Sequence, residues 1–238
     1  MYCPLSAALL LMALALAGCQ EPSRPTMSID RAVSGSDLAQ VKRHLYWKTN
    51  VNLADLNGEF PLHVAARNGQ VAIARELVMH GADLSVLNRD GKTPLEVALT
   101  NGKTQVAQML VEHGAPLNPQ DMLPRLARGG IADRDVFEFL LRRGADIDLP
   151  DARGETPLHI AISEGHLGTV SRLIGYGADV NQTDAKGRLP LEIAQSKGKG
   201  PNSTNIVDIL IRNGARATTR AGITPGQNQS LKTQRTQE

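Results

Sequence analysis

Four side chains stand where a proton could be moved. His63 and His159 hold the fourth place of Phe60-Pro61-Leu62-His63 and Thr156-Pro157-Leu158-His159, and Glu96 and Glu192 hold it in Thr93-Pro94-Leu95-Glu96 and Leu189-Pro190-Leu191-Glu192. An imidazole or carboxylate could serve there as a general base or a metal ligand. The rest of the chain supplies no partners for that work. It contains no His-x-x-x-His, Cys-x-x-Cys or Gly-x-Ser-x-Gly, the spacings that zinc hydrolysis, thiol chemistry and serine acyl transfer use. Ser196-Lys197-Gly198-Lys199-Gly200-Pro201 has the glycines and lysines of a phosphate cradle without the Walker spacing, and reads as an inserted loop. No catalytic residue, metal or cofactor is expected. An unrecognised site in an irregular segment is the enzymatic alternative.

The positions of these residues are set by a repeat. Pro61 and Pro94, and again Pro157 and Pro190, stand 33 residues apart, and Pro124 lies 33 before Pro157 but only 30 after Pro94. Gly81, Gly114, Gly144 and Gly177 each follow their proline by 20 residues. Thr93 and Thr156 can cap a helix with a hydroxyl, and proline suits the first helical position because its missing N–H is no loss there. Leu and Ala follow at helical spacing. A second apolar helix ends at glycine, the usual left-handed cap. An extended finger then leads to Asn57-Gly58 or Asp90-Gly91, both tight-turn signals. One such unit cannot bury its apolar face alone, so neighbours must stack.

The period and the phrase resemble the ankyrin repeat. The resemblance implies an all-α ankyrin-repeat solenoid over residues 28–216, each unit a helix-turn-helix plus a β-hairpin finger. About five full repeats and an eroded N-terminal one are expected. In the eroded unit Lys48 replaces the glycine. Phe60 and Leu189 replace the capping Thr, which should weaken those helix starts by roughly 1 kcal/mol each. The fourth unit, residues 122–151, has lost three residues from the preceding finger and is interrupted by Pro116 and Pro119, and its first helix, residues 123–130, is expected to be poorly formed. In this family the ring of His63 or His159 bonds neighbouring backbone.

A family that binds proteins directs attention to three sets of surface residues. One place before each terminal glycine, or before Lys48, stand Trp47, His80, His113, Arg143, Tyr176 and Asn213. Stacking should turn this column into a ladder near the concave side, rich in the types that dominate interface energy. Ordinary repeat usage is the alternative, and for Trp47 packing against the eroded end. The finger tips contribute Asn57, Glu59, Arg89, Asp90, Lys92, Arg153, Glu155, Lys186 and Arg188. The first-helix ends contribute Arg67, Asn68 and their equivalents. A basic cast of the fourth unit (Arg125, Arg128, Arg134, Arg142, Arg143) would suit an acidic partner, although Arg134–Glu138 and Glu138–Arg142 are helix pairs.

Residues 5–17 are a short apolar run ending in Leu16-Ala17-Gly18-Cys19, too short for a comfortable membrane span. Leu-Ala-Gly-Cys resembles a bacterial lipobox. That implies a signal peptide over 1–18 and a lipidated Cys19 opening a short tether to residue 27, which reaches at most about 28 Å. The n-region Met1-Tyr2-Cys3 lacks Lys and Arg, so an ordinary secretory signal or a retained helix are the alternatives. Gln20 after the cysteine implies outer-membrane sorting, facing the periplasm. Residues 217–238, rich in Gln, Thr and Ser without an apolar period, are expected to be disordered. The net charge of +2 on 238 residues gives no argument for nucleic acid. The function expected is non-catalytic binding or support of a resident envelope protein; the alternative is immunity against a toxin delivered by rival cells.

Overall fold

The computed structural model describes residues 21–198 and 201–216, and every regular element among them is an α-helix. The signal segment, Cys19 and the 217–238 tail lie outside the described residues. The helices come in pairs. They are α1 (Ile29–Ser34) and α2 (Leu38–Tyr46), α3 (Pro61–Asn68) and α4 (Val71–Met79), and α5 (Pro94–Thr100) and α6 (Thr104–Glu112). Then follow α7 (Pro119–Arg128) and α8 (Arg134–Leu141), α9 (Pro157–Glu164) and α10 (Leu167–Gly175), and α11 (Pro190–Ser196) and α12 (Pro201–Arg212). The chain divides into two compact units, Met1–Pro116 and Leu117–Glu238. In the first, α3 packs on α1 and α5 while α4 packs on α2 and α6; in the second, α9 packs on α7 and α11 while α10 packs on α12. First helices stack on first and second on second, the arrangement of an ankyrin solenoid.

Local chemistry places each helix. Thr93 and Thr156 accept the N–H of Glu96 and His159, and Glu96 returns a bond to the Thr93 N–H at 2.9 Å. Phe60 and Leu189 make no such side-chain bond; at Leu189 the return bond from Glu192 survives, also at 2.9 Å. Beyond each second helix a glycine turns left-handed, and Lys48 does so in the first pair at φ 53°. A side chain in that conformation costs about 1–2 kcal/mol, a load that glycine spares the other units. Each unit builds its core from first-helix leucines, Leu62 and Leu95 in the first and Leu123, Leu158 and Leu191 in the second, all no more than 2% exposed. Leu77, Leu110, Leu140, Leu173 and Leu210 of the second helices are fully buried.

The fourth repeat departs from expectation in two ways. Its first helix is well formed and is the longest of its class at 10 residues, starting at Pro119 behind an Asn118 cap. Pro119 begins this helix rather than interrupting it, because proline at the first position sacrifices no bond. The register also shifts. The Ile131 N–H bonds to the Leu126 carbonyl where Gln70, Lys103 and His166 bond to Ala65, Ala98 and Ala161. Pro124 is therefore the counterpart of His63, not of Pro61. The 20-residue spacing to Gly144 survives because the turn between α7 and α8 is two residues longer.

The fingers are closed turns rather than β-hairpins, and no strand occurs among the described residues. At each tip one side chain does the work that a second strand would do. Asp55 Oδ1 accepts the N–H groups of Asn57 and Glu59 at 2.8 and 2.9 Å, and the Asp55 N–H donates to the Glu59 carbonyl at 2.8 Å. Asn88, Asp151 and Asp184 repeat the pattern over residues 88–92, 151–155 and 184–188. With those N–H groups satisfied inside the turn, little remains for a ladder.

Candidate partner-binding surface

Each unit presents two adjacent tips. Asn57, Arg89, Asp90, Arg153 and Lys186 are exposed, while Glu59, Lys92, Glu155 and Arg188 are half-buried. Adjacent tips touch within each unit. Arg89 Nη2 donates to the Leu56 carbonyl at 2.8 Å, and the Ala185 N–H donates to the Gly154 carbonyl at 3.1 Å. Gly154 sits at φ 73°, and a Cβ there would meet that of Ala185 at 2.5 Å, so only glycine fits.

Some expected binding residues are also held by neighbours within the chain. Glu59 Oε1 pairs with Arg67 Nη2 at 2.8 Å and accepts from Asn88 Nδ2 at 3.1 Å, which ties the second repeat to the third. Arg188 bonds Asp184 Oδ2 through both Nε and Nη2, at 2.8 and 2.6 Å. Burial pushes the Asp184 carboxyl up, but bonds from Arg188 and Lys186 outweigh it and leave the group below the usual range. Asn68 is exposed at the end of α3.

The column before the terminal glycines has a second occupation. His80 Nδ1 donates to the Glu76 carbonyl and His113 Nδ1 to that of Met109, both at 2.8 Å, and Asn213 Nδ2 does the same to Ile209. Arg143 reaches the Phe139 carbonyl at 3.2 Å with its guanidinium 3.6 Å over the Phe139 ring. These side chains terminate their own helices by satisfying last-turn carbonyls. Tyr176 stacks on Phe137 at 6.0 Å and its hydroxyl donates to Glu138 at 3.3 Å. Trp47 faces the N-terminal segment: its Nε1 donates to the Pro22 carbonyl at 3.2 Å.

In the fourth repeat, Arg134 and Arg142 both pair with Glu138, at 2.8 and 2.6 Å, and draw its carboxyl down. Arg128 lies 3.9 Å from Asp151. Much of the basic cast is therefore neutralised locally.

His63 and His159 are fully buried, and burial pushes both imidazoles below their ordinary value. His63 Nε2 donates to the Lys92 carbonyl of the next finger at 2.9 Å. His159 Nδ1 instead accepts the Thr156 N–H at 3.2 Å, capping its own helix. Among the described residues no group of three or more His, Cys, Asp or Glu could hold a metal ion, and no helix is long and apolar enough to cross a membrane.

Two features escaped the sequence reading. The tip-forming Asp55, Asn88, Asp151 and Asp184 share an Asx-x-x-Gly signal that was open to inspection. Leu56 is 97% exposed, with Leu53 and Leu87 also exposed, an apolar element on the first unit's fingers. Its signal was apolar residues in turns, outside any helical period.

The family model described as "Ankyrin repeats (3 copies)" matches residues 29–121 and 126–221. The chain is 42% identical over 155 residues to the mouse (Mus musculus) 60 kDa lysophospholipase, covering 63% of this chain and 27% of that protein. It is 51% identical over 39 residues to chicken (Gallus gallus) NF-kappa-B inhibitor alpha, covering 16% of this chain and 12% of that one. The chain thus spans only a minor part of either curated relative. The human ASB11 ankyrin repeat domain superposes with a TM-score of 0.61 at 26% identity, over 82% of this chain and 86% of that one.

Proposed function

Because the chain belongs to the ankyrin-repeat family, we propose that it is a protein-binding module of the bacterial envelope. In this reading it is anchored by acylated Cys19, faces the periplasm, and binds or supports a resident envelope protein through its finger tips. The observation that carries the binding reading is the fourfold tip. One Asx side chain satisfies each turn, and Asn57 and Arg89 on the first unit and Arg153 and Lys186 on the second are left exposed beside it. A rigid turn that displays polar side chains loses little entropy on docking. The name of the chicken relative, an inhibitor of NF-kappa-B, supports a protein as the ligand.

The lysophospholipase likeness does not carry an activity over. Residues outside the repeats are too few to make up a match of 155 residues, so what is shared is mostly repeat sequence. Lipidation rests on Leu16-Ala17-Gly18-Cys19. Cys19→Ser should release the protein from membranes in detergent phase partitioning; unchanged partitioning would refute the anchor. For the binding surface, charge reversal of Arg89, Arg153 and Lys186 should abolish capture of a partner by residues 20–238 from an envelope extract. Capture that survives the reversal would remove the tips from the interface. A toxin captured in place of a resident protein would favour immunity.

A further inference from the structure

We propose that the corner formed by Tyr46, Trp47, Arg24 and Lys48 is a membrane-contact surface, seated in the headgroup layer of the bilayer that receives the acyl chains of Cys19. This rests on the lipidation proposed above. Its ground is the way residues 22–27 are fastened to the first helix pair. Trp47 Nε1 donates to the Pro22 carbonyl at 3.2 Å, and the Arg24 guanidinium lies 5.3 Å from the centre of the Trp47 ring. Gln40 accepts the Thr26 N–H at 3.1 Å and donates to its hydroxyl at 2.7 Å. His44 Nε2 donates to the Met27 carbonyl at 2.7 Å, and both Gln40 and His44 are buried. Residues 22–27 are therefore not a loose tether.

The geometry then limits where the first repeat can sit. Three peptide steps separate Cys19 from Pro22, about 11 Å at full extension. Because Trp47 holds Pro22, the end of α2 stays within that short reach of the anchor. That end carries Tyr46, 51% exposed, against Trp47, 38% exposed, in an edge-to-face pair 5.6 Å apart. Indole and phenol rings favour the headgroup layer, where the ring body is shielded and the polar tip stays wet. Arg24 and Lys48 are exposed beside them, and Glu21 is the one acidic residue in 21–27. Cations so placed are attracted to anionic lipid. The chain has a single tryptophan, so its emission reports on this corner alone.

The test uses the full acylated protein in vesicles of phosphatidylcholine and phosphatidylglycerol, and in matched vesicles with brominated acyl chains. Flotation reads the anchor and Trp47 emission reads the contact. The proposal expects flotation with both vesicles and emission about twofold lower with brominated lipid, from an indole at headgroup depth. Flotation with emission unaffected by bromine would leave the anchor standing and overturn the contact. Failure to float would overturn the anchor, and this proposal with it.

Discussion

The finger tips, described at four turns, and the second-helix ends, one to each helix pair, both recur along the chain, yet they use their side chains differently. At a tip, one inward Asx satisfies the backbone, and Asn57, Arg153 and Lys186 are exposed beside it, although Arg89 also reaches the Leu56 carbonyl of the adjacent tip. At a helix end, the displayed residue itself satisfies the backbone: His80, His113 and Asn213 each reach back four residues to a carbonyl. The lesson is that side chains equally periodic in sequence can carry different local bonding. What matters is whether the side chain still has a bond to offer.

The contrast yields graded predictions. Asp184 is 6% exposed and holds two backbone N–H groups and the Arg188 guanidinium. Asp184→Ala should cost about 3 kcal/mol in urea unfolding, since removing it leaves those donors unsatisfied. Asp184→Asn should cost much less, because Asn88 builds the same turn.

Charge reversal at Arg153 and Lys186 should leave stability nearly unchanged and weaken partner binding by about 2 kcal/mol in calorimetry. His80→Ala or His113→Ala should do the reverse, costing about 1 kcal/mol of stability through the lost helix-end bond while affinity holds. If affinity falls with the histidines and not with the tips, the comparison is inverted.

The smallest effect is on pH dependence. Burial lowers the folded pKa of His63 and His159 below 6.5. The unfolded chain then binds more protons, so these groups contribute full stability above pH 6.5 and lose it as pH falls toward their folded values. His63→Gln, which can still donate to the Lys92 carbonyl, should flatten that decline in thermal melts between pH 7 and 5, a window set by the imidazole's ordinary range.

Much of the fold was legible because the repeat phrase is local chemistry. Thr caps, Pro at the first helical position, Leu in the core and Gly at the left-handed turn each act within a few residues, so their spacing announced six helix pairs. Lys48 was readable as a stand-in glycine for the same reason. The fourth repeat misled because two changes cancel: Pro124 slides two places along its helix and the following turn gains two residues. Only the Ile131 to Leu126 bond exposes that shift. The tips were half legible, since Asn57-Gly58 and Asp90-Gly91 marked turns, but the Asx that builds each turn went unread. Nor could sequence alone reveal engagements across distance, such as Gln40 with Thr26 or Glu59 with Asn88 in the next repeat. Surface candidates are hard to rank from sequence because a side chain's availability depends on such distant partners.

The most direct test places a photo-crosslinking residue at Asn57, Arg89 or Lys186, and separately at His80 or His113, in the cells that make the protein. Illumination should join one envelope protein to the tip positions and leave the helix-end positions without product. Cross-links from the helix ends with silent tips, or from neither set, would contradict the claim that the finger tips are the binding surface.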